Sequence, residues 1–176
     1  DPSPEVQNAA IKALHEAGHE PMNGVIRSAL ADPNADVRMS ALTMVGDLGL
    51  PPEAAADLLA SVLDDGSVAE RQVAYAQLGA LEGNAAFAVL DEQLDLLEAG
   101  TLEAEVRLDL LEAVDSAGSA TLSARLASYR AAKPAGDPLA AYSESLMGGN
   151  AGRGRPLFAD NPTARCVRCH ALAGDG

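Results

Sequence analysis

The sequence predicts an all-α protein: a solenoid of stacked helix pairs over 1–132, a linker over 133–148, and a short module of different character over 149–176. Three observations carry that prediction. A segment at the start of the chain recurs 31 residues later. Apolar residues make up 48% of the chain while aromatics are only 3% and Trp is absent, so Ala, Leu and Val must fill the interior, which suits close-packed helices better than a sheet sandwich. Glycine and proline recur where helices would stop and start.

The repeat comes first. Asp1-Pro-Ser-Pro-Glu-Val-Gln-Asn-Ala-Ala-Ile-Lys-Ala-Leu14 returns as Asp32-Pro-Asn-Ala-Asp-Val-Arg-Met-Ser-Ala-Leu-Thr-Met-Val45, and weaker copies start near Asp64 and Thr101. Equivalent apolar positions are Val6, Ala10, Leu14 and Ala17; Val37, Ala41, Val45 and Leu48; and Val106, Leu110, Val114 and Ala117. Steps of three or four residues make each set one stripe of an amphipathic helix. In the third copy Ala74, Leu78 and Leu81 fit, but Glu70 takes the first position and breaks the pattern. Offsets of 31, 33 and 36 residues leave room for one helix pair per copy. The second helices are expected over 21–30, 53–63, 85–99 and 119–132, with Gly18, Gly49, Gly83 and Gly100 as stops and with Pro51-Pro52 and Asp32-Pro33 as turn and start signals. One pair cannot cover its own stripe, so neighbours must stack.

The run from Asp32 to Leu42, Asp-Pro-x-x-x-Val-Arg-x-x-Ala-Leu, resembles HEAT repeats, and the resemblance extends over 1–132. It implies a curved scaffold that binds or positions other proteins. Charge narrows the partners. Residues 1–150 hold eight Lys/Arg against 24 Asp/Glu, a net of −16, whereas 151–176 hold four Arg against two Asp, a net of +2. A surface that acidic repels phosphate, so no nucleic-acid partner is expected of the large part. No apolar run approaches the roughly 20 residues that span a bilayer, so no membrane span is expected. Lys133-Pro-Ala-Gly-Asp-Pro138 reads as a linker, followed by a short helix up to Leu146 and closed by Gly148-Gly149.

The chemistry sits in Cys166-Val167-Arg168-Cys169-His170. Thioether attachment of haem needs two thiols about one helical turn apart to meet two vinyl groups, and the adjacent His is then carried beneath the macrocycle. Cys166 and Cys169 are the expected anchors, with His170 as the proximal iron ligand. Other readings are weaker but open. A structural zinc site needs four ligands, and there is no second Cys pair, with His15 and His19 far away on a repeat helix. A thioredoxin-like pair belongs after a strand, and no βαβ pattern exists. The third alternative is coincidence.

Upstream, Gly149-Asn150, Gly154 and Leu157-Phe158, then seven residues to Cys166, resemble the first helix of class I c-type cytochromes. The resemblance covers about 149–176. It implies haem c, with Phe158 near its edge, and the expected N-cap is Asn150. Pro156 departs from the pattern and should leave the helix short, kinked or late to start. The family's later Met, its distal ligand, has no matching position, so a truncated cytochrome module with an open distal face and poor order from about 150 onward is expected. The chain opens at Asp1 without initiator Met or signal segment and stops six residues after His170, so it reads as a piece of a longer polypeptide. His15 and His19 read as surface positions and Met147 as packing. Arg155, Arg165 and Arg168 suit either haem propionates or solvent.

Helical repeats joined to a Cys-x-x-Cys-His module resemble large bacterial haem-binding proteins in which a dehydrogenase-like propeller often precedes the repeats. That resemblance implies an electron-transfer module, not itself an enzyme, with redox partner proteins, a dehydrogenase domain upstream, and a periplasmic or cell-surface location. The alternative is a protein-binding scaffold in which haem is structural or sensory.

Overall fold

The computed structural model describes residues 3–19 and 22–171, and every described element is helical. Four helix pairs follow one another: α1 (Pro4–Glu16) and α2 (Met22–Leu30), α3 (Ala35–Met44) and α4 (Pro52–Asp65), α5 (Val68–Ala80) and α6 (Asn84–Glu98), α7 (Arg107–Ser116) and α8 (Ala120–Ala131). Helices α1, α3, α5 and α7 stack side by side as one layer, α4, α6 and α8 stack as the other, and α2 packs on α3 and α1, with the core between.

Local chemistry sets the starts. Side-chain oxygens of Ser3, Asn34 and Ser119 accept from backbone N–H groups of the first turns of α1, α3 and α8. Pro4 and Pro52 occupy first-turn positions where a missing N–H costs nothing. The expected stops at Gly18, Gly49 and Gly100 all take left-handed backbone angles, whereas Gly83 serves as the N-cap of α6.

The stripes pack as the periodicity requires in copies two to four. Val37, Ala41, Val45 and Leu48 are buried, as are Ala74 and Leu78, and Val106, Leu110 and Val114. Copy one differs: Val6 is 57% exposed, and Ala10 and Ala17 face solvent. The reason is positional, because α1 is the first described helix and, among the described residues, no pair stacks on that side of it. Ile11 turns inward instead. Its equivalents Leu42, Tyr75 and Leu111 are also buried, forming a second apolar column that the first stripe hides in the sequence.

Glu70, which breaks the apolar pattern, is buried because it works as a polar joint. It closes a capping box with Ser67 and accepts from Arg38 Nε at 2.7 Å. Burial alone would raise its carboxyl, but the hydrogen bonds from Ser67 and Arg38 outweigh it and hold the group below the usual range. Arg71 repeats the link one pair further on, to Glu103, and Asn8 donates to Ser40 Oγ at 2.8 Å. Each of these three bridges spans 32 residues, so the pairs share one register.

The tightest crossing is α5 on α7. A Cβ added at Gly79 would fall 2.8 Å from both the Cα and the carbonyl oxygen of Ala113. Only glycine lets the two backbones approach so closely.

Candidate haem-attachment site

Residues 133–148 carry the chain from the last pair to the Cys-x-x-Cys-His module, and they do so pinned to the array. A 3-10 helix, Ala140–Leu146, lies against α7. Its Glu144 is buried, pairs with Lys133, and accepts from Tyr129 Oη at 2.7 Å and Ser143 Oγ at 3.0 Å. Burial would raise the Glu144 carboxyl, yet the Lys133 and Tyr129 bonds overcome it and hold the group down at about 2. The same contacts act on Tyr129, where burial and the neighbouring carboxylate push the phenol up to about 12. Lys133 also stands 5.4 Å over the Tyr129 ring.

The next helix, α9 (Ala151–Asp160), starts where its cap dictates: Asn150 Oδ1 accepts from Arg153 N–H at 2.9 Å. Pro156 lies inside it and offers no N–H to the Gly152 carbonyl, and the helix is short, at ten residues. None of its residues is buried. Leu157 is 63% exposed and Phe158 half-buried.

A compact turn then aims the cysteines. Asn161 Oδ1 accepts from the backbone N–H groups of Thr163 and Ala164, both at 2.9 Å. Arg165 donates its N–H to the Asn161 carbonyl at 3.0 Å and takes a left-handed φ of +47°, and its Nε reaches the Pro162 carbonyl. Left-handed backbone at a non-glycine residue is strained, by about 1 kcal/mol, so the surrounding bonds must hold it. In the sequence Arg165 stands out only by its charge. The Asn161-Pro162 pair is the turn signal that would have found this role.

The motif itself is one tight turn. Cys166–Arg168 is 3-10 helix, with Cys169 N–H on the Cys166 carbonyl at 3.2 Å and His170 N–H on the same oxygen at 2.9 Å. Cys169 caps the 3-10 turn that Cys166 opens, so the two cysteines stand one turn apart. Both thiols are free. Cys166 is half-buried, and Cys169 and His170 are exposed. The donor set therefore fits a haem held through two thioethers and an adjacent imidazole. Leu157 and Val167 are uncovered and Phe158 is half-buried, apolar side chains that a large flat macrocycle could cover. The last five residues expected in this module, 172–176, lie outside the described residues. His15 and His19 stand exposed on the first repeat, and Met147 is half-exposed at the end of the pinned segment.

Among the described residues no group of three or more His, Cys, Asp or Glu side chains is placed to hold a metal ion directly, and no helix is long and apolar enough to cross a membrane. No curated protein and no solved structure matches the chain. The protein family described as HEAT repeats matches residues 1–79. Residues 1–79 are thus similar to HEAT repeats, and beyond them Val106, Leu110 and Val114 repeat the buried stripe while Glu103 receives the bridge from Arg71.

Proposed function

We propose that this chain is an electron-transfer segment in which a helical-repeat scaffold positions a haem c carried by Cys166 and Cys169. The observation that carries the reading is the single turn that sets two free thiols one turn apart with an imidazole immediately after them. Each thiol would add its S–H across one vinyl group, so two C–S bonds form without an oxidant. His170 would offer its imidazole nitrogen as the proximal ligand. Bound haem supplies a reversible one-electron centre. Leu157, Phe158 and Val167 would exclude water from one edge of the group, and Arg155, Arg165 and Arg168 would offer positive charge to its carboxylates. The chain provides binding and placement, not turnover. Its partners on this reading are redox proteins, including a dehydrogenase-type domain upstream, in a periplasmic or cell-surface setting where covalent haem is attached.

A second reading has its own support: the HEAT-repeat match over 1–79 favours a helical scaffold for protein interaction, with haem as a structural or sensory element. The two readings part on rate. Covalent attachment is tested by producing the protein with haem-maturation machinery and recording intact mass and a pyridine haemochrome spectrum. The expected result is a haem adduct that survives acid-acetone extraction and is lost in the Cys166→Ala, Cys169→Ala chain. A colourless product beside a maturing control cytochrome would overturn it. A haem-loaded protein that exchanges no electrons with soluble cytochrome or quinone-type donors would leave the scaffold reading.

A further inference from the structure

Gly148 closes the pinned segment one residue before the Cys-x-x-Cys-His module begins. Its φ is +76°, and a Cβ there would fall 2.8 Å from the Glu105 carbonyl carbon and closer still to the carbonyl oxygen. The backbone at this point is therefore pressed against the array, into a space that admits no side chain. Gln72, on α5, fastens it: its Nε2 donates to the Gly148 carbonyl at 2.9 Å and to the Glu105 carbonyl at 3.1 Å. One side chain thus ties the third pair, the start of the fourth and the end of the pinned segment. Beyond it α9 buries nothing. Among the described residues, the module's fastening to the array is concentrated at this place, with the charge of Arg153 in α9 felt at Asp109 of α7.

We infer that Gln72, Glu105 and Gly148 form a fixed joint that sets where the Cys166–His170 module stands on the array, with Gln72 as its positioning residue. The functional meaning rests on the haem reading, but the joint itself does not, and it is tested in a chain that cannot attach haem. Nitroxide labels go on Asp57→Cys in α4 and Ala159→Cys in α9, both exposed, in the full chain carrying Cys166→Ala and Cys169→Ala. Pulsed electron resonance then reads the distance distribution between them.

The parent should give one narrow distribution. Gln72→Ala and Gly148→Ala should each broaden it at least about twofold, because a released flexible tether samples many separations. Gly118→Ala is the control: it shares the left-handed backbone at φ +71°, but its Cβ would meet nothing within 4 Å, so it should leave the width unchanged. Circular dichroism confirms that the repeats stay folded in each variant. A parent distribution that is already broad would overturn the joint, as would a narrow one that neither variant widens. Equal broadening by Gly118→Ala would also overturn it, by tracing the effect to strain at any glycine. Haem attachment, read by mass in the unlabelled chain, can succeed or fail independently of all three outcomes.

Discussion

Helices α5 and α9 both contain glycine and alanine and both are capped by a polar side chain, yet they sit in opposite physical situations. Helix α5 buries Glu70, Ala74, Tyr75, Leu78 and Gly79 between its neighbours. Helix α9 buries nothing. A repeat helix is covered on one side by the pair before it and on the other by the pair after it, so its stability comes from tertiary burial. The apolar residues of α9 have no such neighbour, and the chain holds the helix at its first turn. The array is a structure in its own right. The module has a place, but among its described residues none is buried.

The largest effects should separate these regions by core deletion. Leu110, fully buried in α7, should cost about 2–5 kcal/mol when cut to Ala, since the transfer loss adds to a cavity. The same cut at Leu157 should shift global stability by no more than about 0.5 kcal/mol. Urea unfolding followed by circular dichroism reads both. Similar losses at the two positions would mean that α9 is packed into the array after all.

A second pair of substitutions should differ in sign. Gly79→Ala drives a methyl into the Ala113 backbone and should destabilise the array by about 1–3 kcal/mol. Gly154→Ala meets nothing within 4 Å and replaces the poorest ordinary helix former with the best, raising the stability of α9 by about 1 kcal/mol. Unfolding midpoints measure the first, and amide exchange over 151–160 measures the second. A neutral Gly79→Ala would show that the α5–α7 crossing relaxes freely.

The sequence showed one of these regions far better than the other, for physical reasons. A solenoid repeats its environment, so Val37, Ala41 and Val45 announce themselves again as Val106, Leu110 and Val114, and the helix pairs could be placed within a residue or two. Glu70 looked like a fault because apolar periodicity does not encode polar joints; its meaning depends on Ser67 and Arg38 meeting it in space. The exposure of Val6 was invisible for a related reason, since a stripe does not tell which copy lacks a neighbour. The cysteine motif was legible because its chemistry is local and lies within one turn. The Gln72–Gly148 joint was not, because it links residues 76 positions apart through a backbone carbonyl that any residue could supply.

Acid should next distinguish the pinned segment from the repeats. Glu144 is held at about 2 against an ordinary 4.5, so its native partners favour the ionised form. A depressed carboxylate contributes stability that is fully present above its unfolded value and is lost as pH falls from about 4.5 towards 2. The 133–148 segment should therefore become protease-sensitive across that window. Glu144→Gln should be looser at neutral pH and show much less change on acidification. Glu70 acts in the same direction within the array, so helicity must be followed in parallel. Release of the segment at unchanged helicity is the expected order. Simultaneous loss would mean that the buried Lys133–Glu144 pair is not a separate fastening.

The smallest effect should come from salt, and it bears on how the module's first turn meets the array. Asp109 on α7 is partly buried, and burial together with the charge of Glu112 pushes its carboxyl up; Gln72 and the Arg153 guanidinium draw it back. That attraction is one favourable interaction between a segment, residues 1–150, of net −16 and a module of net +2. Attractions that reach an exposed side chain such as Arg153 contribute about 0–1 kcal/mol, and at 1 M salt the screening length falls to about 3 Å, shorter than most charge separations at a surface. Amide exchange over 151–156 should therefore quicken by up to about fivefold between low and high salt. Peptides from α5 and α7 should not change, because apolar burial is not weakened by screening. Arg153→Gln should show the faster exchange at low salt and little further response. If salt instead loosens the array and leaves α9 untouched, charge is holding the repeats together and the contrast between the two regions fails.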